Sequence, residues 1–293
     1  MARNLGVKCT EQQPYYFISY NSEDKDRVSR YAKELAKRSV NVWYDEGILV
    51  GEEWKRVIKA RIRDCQGVIV FVSENLLKKN SSYVRVECNH AQRFEKPIYP
   101  IYLDVIKKED CSKQLHMKWW IRMLEKQGIK KCQGGSGKSV VERIDKLVEA
   151  LNKPNEKDKS KEQDKERVWY SNEDVYIGRI KNGKRDGKGV YFFENGEEYE
   201  GNFKNGKFNG KGTYYWTDGE IYEGTFKDGK RTGKGIYVWA DGSKYEGTFT
   251  DGIPNGEGKY DLVNGEKIEG TFEYGIFKGK VSRTGFSHIT FEK

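Results

Sequence analysis

The sequence predicts two architectures in one chain: an α/β domain on a parallel sheet, followed by an all-β antiparallel array of hairpin repeats. Three observations carry this. Four short apolar runs alternate with amphipathic segments between residues 15 and 151, a 23-residue period runs from Tyr176 to Gly275, and a polar stretch separates the two. That stretch, Asn152–Arg167, has no apolar side chain except Pro154, so it adds nothing to a core and reads as a charged linker. Of the 32 glycines, 24 follow it, which marks a change of architecture rather than a loop within one domain. The expected domains are therefore 1–151, a linker at 152–168 and an array at 169–293.

In the first domain, Tyr15–Tyr20 reads as a buried strand followed by the polar turn Asn21–Asp26. Arg27–Arg38 spaces Val28, Tyr31, Ala32 and Leu35 as one helical face. A second strand, Val40–Tyr44, ends in Asp45; the glycine-bearing loop Glu46–Glu53 leads into a helix from Trp54 with Val57, Ile58 and Ile62 on one side. Gly67–Val72 is a fully apolar third strand. A helix over Ser82–Phe94, a fourth strand at Ile98–Leu103 and a last helix at Val140–Leu151 follow. Continuous apolar strands alternating with helices imply a parallel sheet covered on both faces. Ligands of such sheets sit beyond the carboxyl ends of the strands, here Ser19–Glu23, Asp45–Glu53, Ser73–Ser82 and Asp104.

In the second half, Tyr176, Tyr199, Tyr222, Tyr245 and Ile268 recur in step, as do Gly178, Gly201, Gly224, Gly247 and Gly270. Tyr222, Gly224 and Phe226 share a strand face, and Gly235, Tyr237 and Trp239 form a second alternating strand. Asp228-Gly229 and Asp241-Gly242 supply positive-φ turns. The glycines among aromatics leave room for the ring of a neighbouring strand. A lone hairpin is marginal in water, so about four full units and a degenerate fifth must stack into one twisted sheet, with a cap near Val281 and Phe286.

Composition excludes several function classes. The longest apolar run, Gly67–Val72, is too short to cross a bilayer, and the first ten residues hold no signal-peptide core. Five scattered cysteines (Cys9, Cys65, Cys88, Cys111, Cys132) without a C-x-x-C pair argue against a disulfide framework or zinc, and fit a cytoplasmic protein. His90, His116 and His288 are too dispersed for a metal centre. The net charge of +9 lies in residues 1–151, with 29 Lys+Arg against 20 Asp+Glu, while the array from 169 carries −1. No aromatic-basic or finger motif turns this charge into a nucleic-acid surface. Gly134–Ser139 resembles the end of a phosphate loop, but Cys132 stands where the first glycine belongs. Asn80-Ser-Ser82 forms a glycosylation sequon that carries little weight without a sign of secretion.

The strand Phe17–Tyr20, Trp43–Asp45 with Gly51 and Trp54, the strand Val68–Ser73 and the segment Ser82–Glu87 together resemble TIR domains, over about residues 14–151. The resemblance implies a flavodoxin-like sheet. The Y-x-G-x-F…G-x-G-x-Y unit resembles MORN repeats, which serve as scaffolds for dimerisation or partner binding and in some cases are proposed to bind phospholipid. Lys181, Lys184, Arg185 and Lys188 recur in later units as a basic stripe, yet the array is near neutral, so solvated turns are preferred to a membrane-lipid surface.

TIR domains are either adaptors or enzymes that cleave NAD+ at the nicotinamide–ribose bond. The resemblance implies a catalytic glutamate early in the third helix, preceded by an aromatic and a serine: Glu87, Tyr83 and Ser82. Tyr83 departs from the usual tryptophan. The resemblance also sets Trp54 at the nicotinamide side, Tyr20, Asn21 and Ser22 facing ribose and phosphates, and Asp45 at the same rim. Loss of nicotinamide leaves an oxocarbenium-like ribose, which a fixed carboxylate stabilises as in glycosidases. The expected function is NAD+ glycohydrolase, giving nicotinamide and linear or cyclic ADP-ribose, with NAD+ as substrate and no cofactor or metal. Homo-oligomer assembly through the TIR and MORN surfaces would regulate it, in an immune or cell-death setting such as antiphage defence. The alternative is a non-catalytic TIR/MORN scaffold.

Overall fold

The computed structural model describes residue 9 and residues 13–44, 52–78, 82–104, 118–120, 122–123, 140–152 and 166–278. The chain divides into two compact units, Met1–Asp158 and Lys159–Lys293.

The first unit runs β1 (Tyr16–Ser19), a 3-10 turn (Ser22–Asp24), α1 (Lys25–Lys37), β2 (Val42–Trp43), α2 (Glu52–Asp64), β3 (Gly67–Val72), α3 (Glu74–Lys78), α4 (Ser82–Arg93), β4 (Ile98–Tyr102) and α5 (Val140–Asn152). The strands form one sheet in the order β2-β1-β3-β4, and every pairing is parallel. The chain leaves β1 to one side for β2 and returns to the other side for β3, which makes the β1/β3 junction the point where a crevice opens.

Side-chain alternation along β1 divides the layers. Ile18 and Tyr20 join Val42, Tyr44, Ile69 and Phe71 in a core closed by Val28, Tyr31, Ala32 and Leu35 of α1 and Ile144 and Leu147 of α5. Phe17 and Ser19 point to the other face. There the Phe17 ring stacks on Trp43 with centroids 5.3 Å apart, and Ile58, Ile62, Val84 and Cys88 are buried. The expected strands and helices form within two residues of their predicted ends, and α3 is an addition. Among the described residues, no helix is long and apolar enough to cross a membrane.

Among the described residues, the second unit is a single antiparallel meander of eleven strands, from β5 (Glu166–Trp169) through β6 (Val175–Lys181), β7 (Lys184–Phe192), β8 (Glu198–Lys204), β9 (Lys207–Tyr215), β10 (Ile221–Lys227), β11 (Lys230–Val238), β12 (Lys244–Thr250), β13 (Ile253–Asp261) and β14 (Lys267–Glu273) to β15 (Ile276–Phe277). β5 begins inside the stretch expected as linker. It belongs to a half-unit: the turn Tyr170–Asp174 repeats the hydrogen bonds of Phe193–Glu197, Trp216–Glu220, Trp239–Ser243 and Leu262–Glu266. Asn172, Asn195, Asp218, Asp241 and Asn264 each accept the backbone N–H two residues on, which closes these turns.

The glycines make room for a ring, as expected: for one of each facing pair the ring comes from the neighbouring strand, for the other from its own strand. Gly224 and Gly235 face each other across β10 and β11, and the Tyr222 ring, from two residues earlier on the same strand, lies over both. Its hydroxyl donates to the Thr225 carbonyl at 3.1 Å. Tyr176, Tyr199 and Tyr245 repeat the arrangement. Burial pushes Tyr176, Tyr222 and Tyr245 up to about 12.

Between units the rings interlock edge to face. Tyr199–Phe226, Tyr222–Phe249 and Tyr245–Phe272 have centroids 5.0–5.1 Å apart, contacts worth about 0.5–1.5 kcal/mol each beyond burial. The two turns of a unit also differ. Asp228 and Gly229 both have positive φ, whereas at Asp241-Gly242 only the glycine does. The first is therefore a two-residue hairpin turn and the second an Asx-closed loop.

In the degenerate fifth unit Ile268 replaces the tyrosine, and the Phe277 ring approaches Gly270 instead. The caps expected at Val281 and Phe286, like the loop 134–139, lie outside the described residues.

Gly212→Ala would drive a methyl into the Tyr199 ring and hydroxyl. It is expected to cost the array about 1–3 kcal/mol, seen as an earlier urea midpoint by tryptophan fluorescence.

Candidate active site

Glu87 sits on the second turn of α4, and Tyr83 lies one turn before it. The two differ sharply in exposure: Tyr83 is 52% exposed and Glu87 only 3%. The helix thus starts at the surface and dives beneath the sheet face that carries Phe17. There Ser19, 1% exposed at the end of β1, donates its hydroxyl to Oε2 of Glu87. The candidate acid stands where the sheet topology locates a ligand crevice, at the carboxyl end of β1 beside β3.

The first loop is tied down by a second polar network. Asp24, fully buried, accepts from the Ser73 hydroxyl just after β3 and from Asn75 Nδ2 at 2.9 Å. Arg27 bridges Asp24 at 3.3 Å and Asp104, beyond β4, at 2.6 and 3.1 Å, and donates to the Leu103 carbonyl at 2.6 Å. These hydrogen bonds raise the pKa of Arg27 against the opposing effect of burial. Glu74 N–H donates to Asp104 at 2.9 Å. Three strand ends are therefore pinned around one arginine.

The expected site residues fare unequally. Asn21 is buried, accepts from Glu23 N–H at 3.0 Å as the cap of the 3-10 turn, and donates to the Asn75 carbonyl at 3.5 Å. Its side chain organises the loop. Ser22 is exposed at the head of that turn. Tyr20 does not join the site: its ring belongs to the core under α1 and α5, on the face opposite Glu87, because residues 19 and 20 alternate across the strand. Asp45 and loop residues 46–51 lie outside the described residues. Trp54 and Ser82 are helical residues whose side chains are not described.

Sequence reasoning placed Ser19 and Ser73 at ligand-facing strand ends without giving either a role, and singled out neither Asp24 nor Arg27. The further signal for Ser19 was a hydroxyl at an inward position of an apolar strand; for Asp24 and Arg27 there was no local pattern.

Neither described cysteine near this layer is poised as a nucleophile. Burial pushes Cys65 up to about 11, and burial with the charge of Glu87 holds Cys88 well above its usual range. Among the described residues, no group of three acidic, His or Cys side chains could hold a metal. Burial, aided by the charges of Arg93 and Lys59, holds His90 down at about 3.

With this geometry in place, comparison with known proteins defines the class. The family model of the TIR domain matches residues 17–133, and that of the MORN repeat matches 176–198, 199–221, 222–244 and 245–267. The chain is a fusion of a TIR domain with four MORN repeats.

Among curated proteins, the chain is similar to a 2' cyclic ADP-D-ribose synthase, AbTIR, of Acinetobacter baumannii. That match is 34% identical over 105 residues, 34% of this chain and 39% of that protein. It is also similar to BtTIR of Bacteroides thetaiotaomicron, another 2' cyclic ADP-D-ribose synthase, at 33% identity over 98 residues, 32% of this chain and 34% of that one. The matched region thus spans only about a third to two fifths of each relative. Among solved structures, the TIR domains of an activated Roq1 resistosome directly recognizing the pathogen effector XopQ align with 48% of this chain and 85% of theirs, at 16% identity and a TM-score of 0.29.

Two outcomes follow from the site geometry. Arg27→Met removes the clip between the first loop and β4 and is expected to cost about 1–2 kcal/mol, since the arginine is partly solvated; a thermal melt of the full chain measures it. His90 has a folded value below the unfolded one of about 6.5. Below that pH the unfolded chain binds a proton that the folded chain refuses. Stability from this group is full above pH ~6.5 and falls as pH drops toward 3, by at most about 1.4 kcal/mol per unit. His90→Gln should flatten that part of a pH–Tm curve measured between pH 7 and 4.5.

Proposed function

We propose that the TIR domain is an NAD+ glycohydrolase in which Glu87 is the catalytic carboxylate. The observation that carries this is a carboxylate buried and hydrogen-bonded at the mouth of the β1/β3 junction. Burying a carboxylate costs several kcal/mol unless it is paired, and a merely solvating helix residue incurs no such cost. The similarity to two 2' cyclic ADP-D-ribose synthases supports the same chemistry.

On this reading the glycosidic bond of NAD+ breaks with its electron pair leaving on nicotinamide. Positive charge grows at the anomeric carbon and ring oxygen of the ribose, and Glu87 stabilises it. Water attacking that carbon gives ADP-ribose and a proton released to solvent; a hydroxyl of the same molecule attacking it gives a cyclic form, again with loss of a proton. Tyr83 offers an exposed ring one turn from the acid. Trp54, Asp45, Ser82, Asn21 and Ser22 remain assigned to binding, Asn21 through the shape of the first loop.

Assembly through the MORN array sets the activity by bringing TIR domains together, in immune or cell-death signalling within the cytoplasm.

Full-length protein incubated with NAD+ should release nicotinamide, with a specific activity that rises with protein concentration. Glu87→Gln should lower the rate at least about 100-fold. Absence of release by concentrated wild type would favour the scaffold alternative, and undiminished release by Glu87→Gln would overturn the residue assignment.

A further inference from the structure

A glutamate side chain has three free torsions, so burial alone does not fix the plane of its carboxylate. One group that orients it for Glu87 lies 68 positions away in sequence: the hydroxyl of Ser19, which donates to Oε2. Ser19 belongs to β1, which pairs with β2 on one side and β3 on the other, and its own register partner is Val70. Its backbone is therefore held from the β3 side, two residues beyond the last β2 pair. The hydroxyl is 1% exposed, in the layer that holds the stacked rings of Phe17 and Trp43. A buried hydroxyl is costly unless bonded, and an alanine would fill this place in an apolar strand without that cost.

We infer that Ser19 is a positioning residue for Glu87: its O–H, anchored in the central strand, sets the plane in which the carboxylate faces the ribose. The Ser19 hydroxyl donates and Oε2 of Glu87 accepts. The role is distinct from catalysis, since Ser19 lies beneath Glu87 in the strand layer and acts only through it. The inference rests on Glu87 acting on NAD+.

The test is steady-state nicotinamide release by the full-length chain, with Ser19→Ala, Ser19→Thr and Ser19→Cys beside wild type, alone and combined with Glu87→Gln. Loss of one hydrogen bond to a charged group predicts that Ser19→Ala lowers kcat about 10–100-fold, with KM within about twofold. Ser19→Thr, which keeps the hydroxyl, should recover most of the rate. Ser19→Cys, close in shape but a weaker donor, should fall between, which separates lost orientation from lost folding. In the Glu87→Gln background, Ser19→Ala should add no comparable loss, because the two act as a unit.

A Ser19→Ala variant with wild-type kcat would overturn the inference while leaving the NAD+ reading standing. So would a Ser19→Ala loss equally large in the Glu87→Gln background. A wild type that releases no nicotinamide overturns both.

Discussion

The alternation of side chains along β1 is the constraint on which the first domain depends. The strand is central, paired on both sides and covered on both faces, so each of its positions is committed to one layer. Ile18 and Tyr20 close the core under α1 and α5. Phe17 and Ser19 face the layer of α4. A one-residue slip would exchange these sets, placing Tyr20 against Glu87 and its serine partner in an apolar core. Packing and site geometry are thus settled by the same period of two.

Around that strand, polar groups are spent where strands end. Asp24, Ser73, Asn75, Arg27 and Asp104 are far apart in sequence but form one network across the exits of β3 and β4 and the first loop. Such a network is costly when incomplete and rigid when satisfied. It ties the first loop to the ends of β3 and β4. In the array the equivalent constraint is the tyrosine lying over a facing glycine pair. No residue with a Cβ fits beneath that ring, so glycine recurs wherever the tyrosine does.

The array also shows how charge is absorbed by packing. Arg185 and Arg231, members of the basic stripe seen in sequence, lie over aromatic rings: Arg185 at 4.5 Å from the Tyr191 centroid and Arg231 at 5.0 Å from that of Tyr237. Arg185 also donates to the Gly206 carbonyl at 2.6 Å. Cation–π and backbone contacts hold these guanidinium groups on the aromatic face. Neighbouring tyrosines turn their hydroxyls to carboxylates, Tyr191 to Asp174 and Tyr214 to Glu197, each at 2.6 Å.

The sequence by itself determined the two architectures, the strand order of events along the chain and the repeat, because apolar period and glycine spacing are local properties. Through its resemblance to TIR domains it also singled out Glu87 and Tyr83, which share one helix. It contained the half-unit at Asn172 as well, in the same 23-residue step, though without the aromatic-glycine signature that makes the later units conspicuous. Tertiary structure alone decided which side of β1 faces the acid, removing Tyr20 from the site and bringing Ser19 into it. It alone joined Asp24, Arg27, Ser73 and Asp104. Such contacts arise when a parallel sheet places distant strand ends side by side, and no spacing in the chain records which ends will be neighbours.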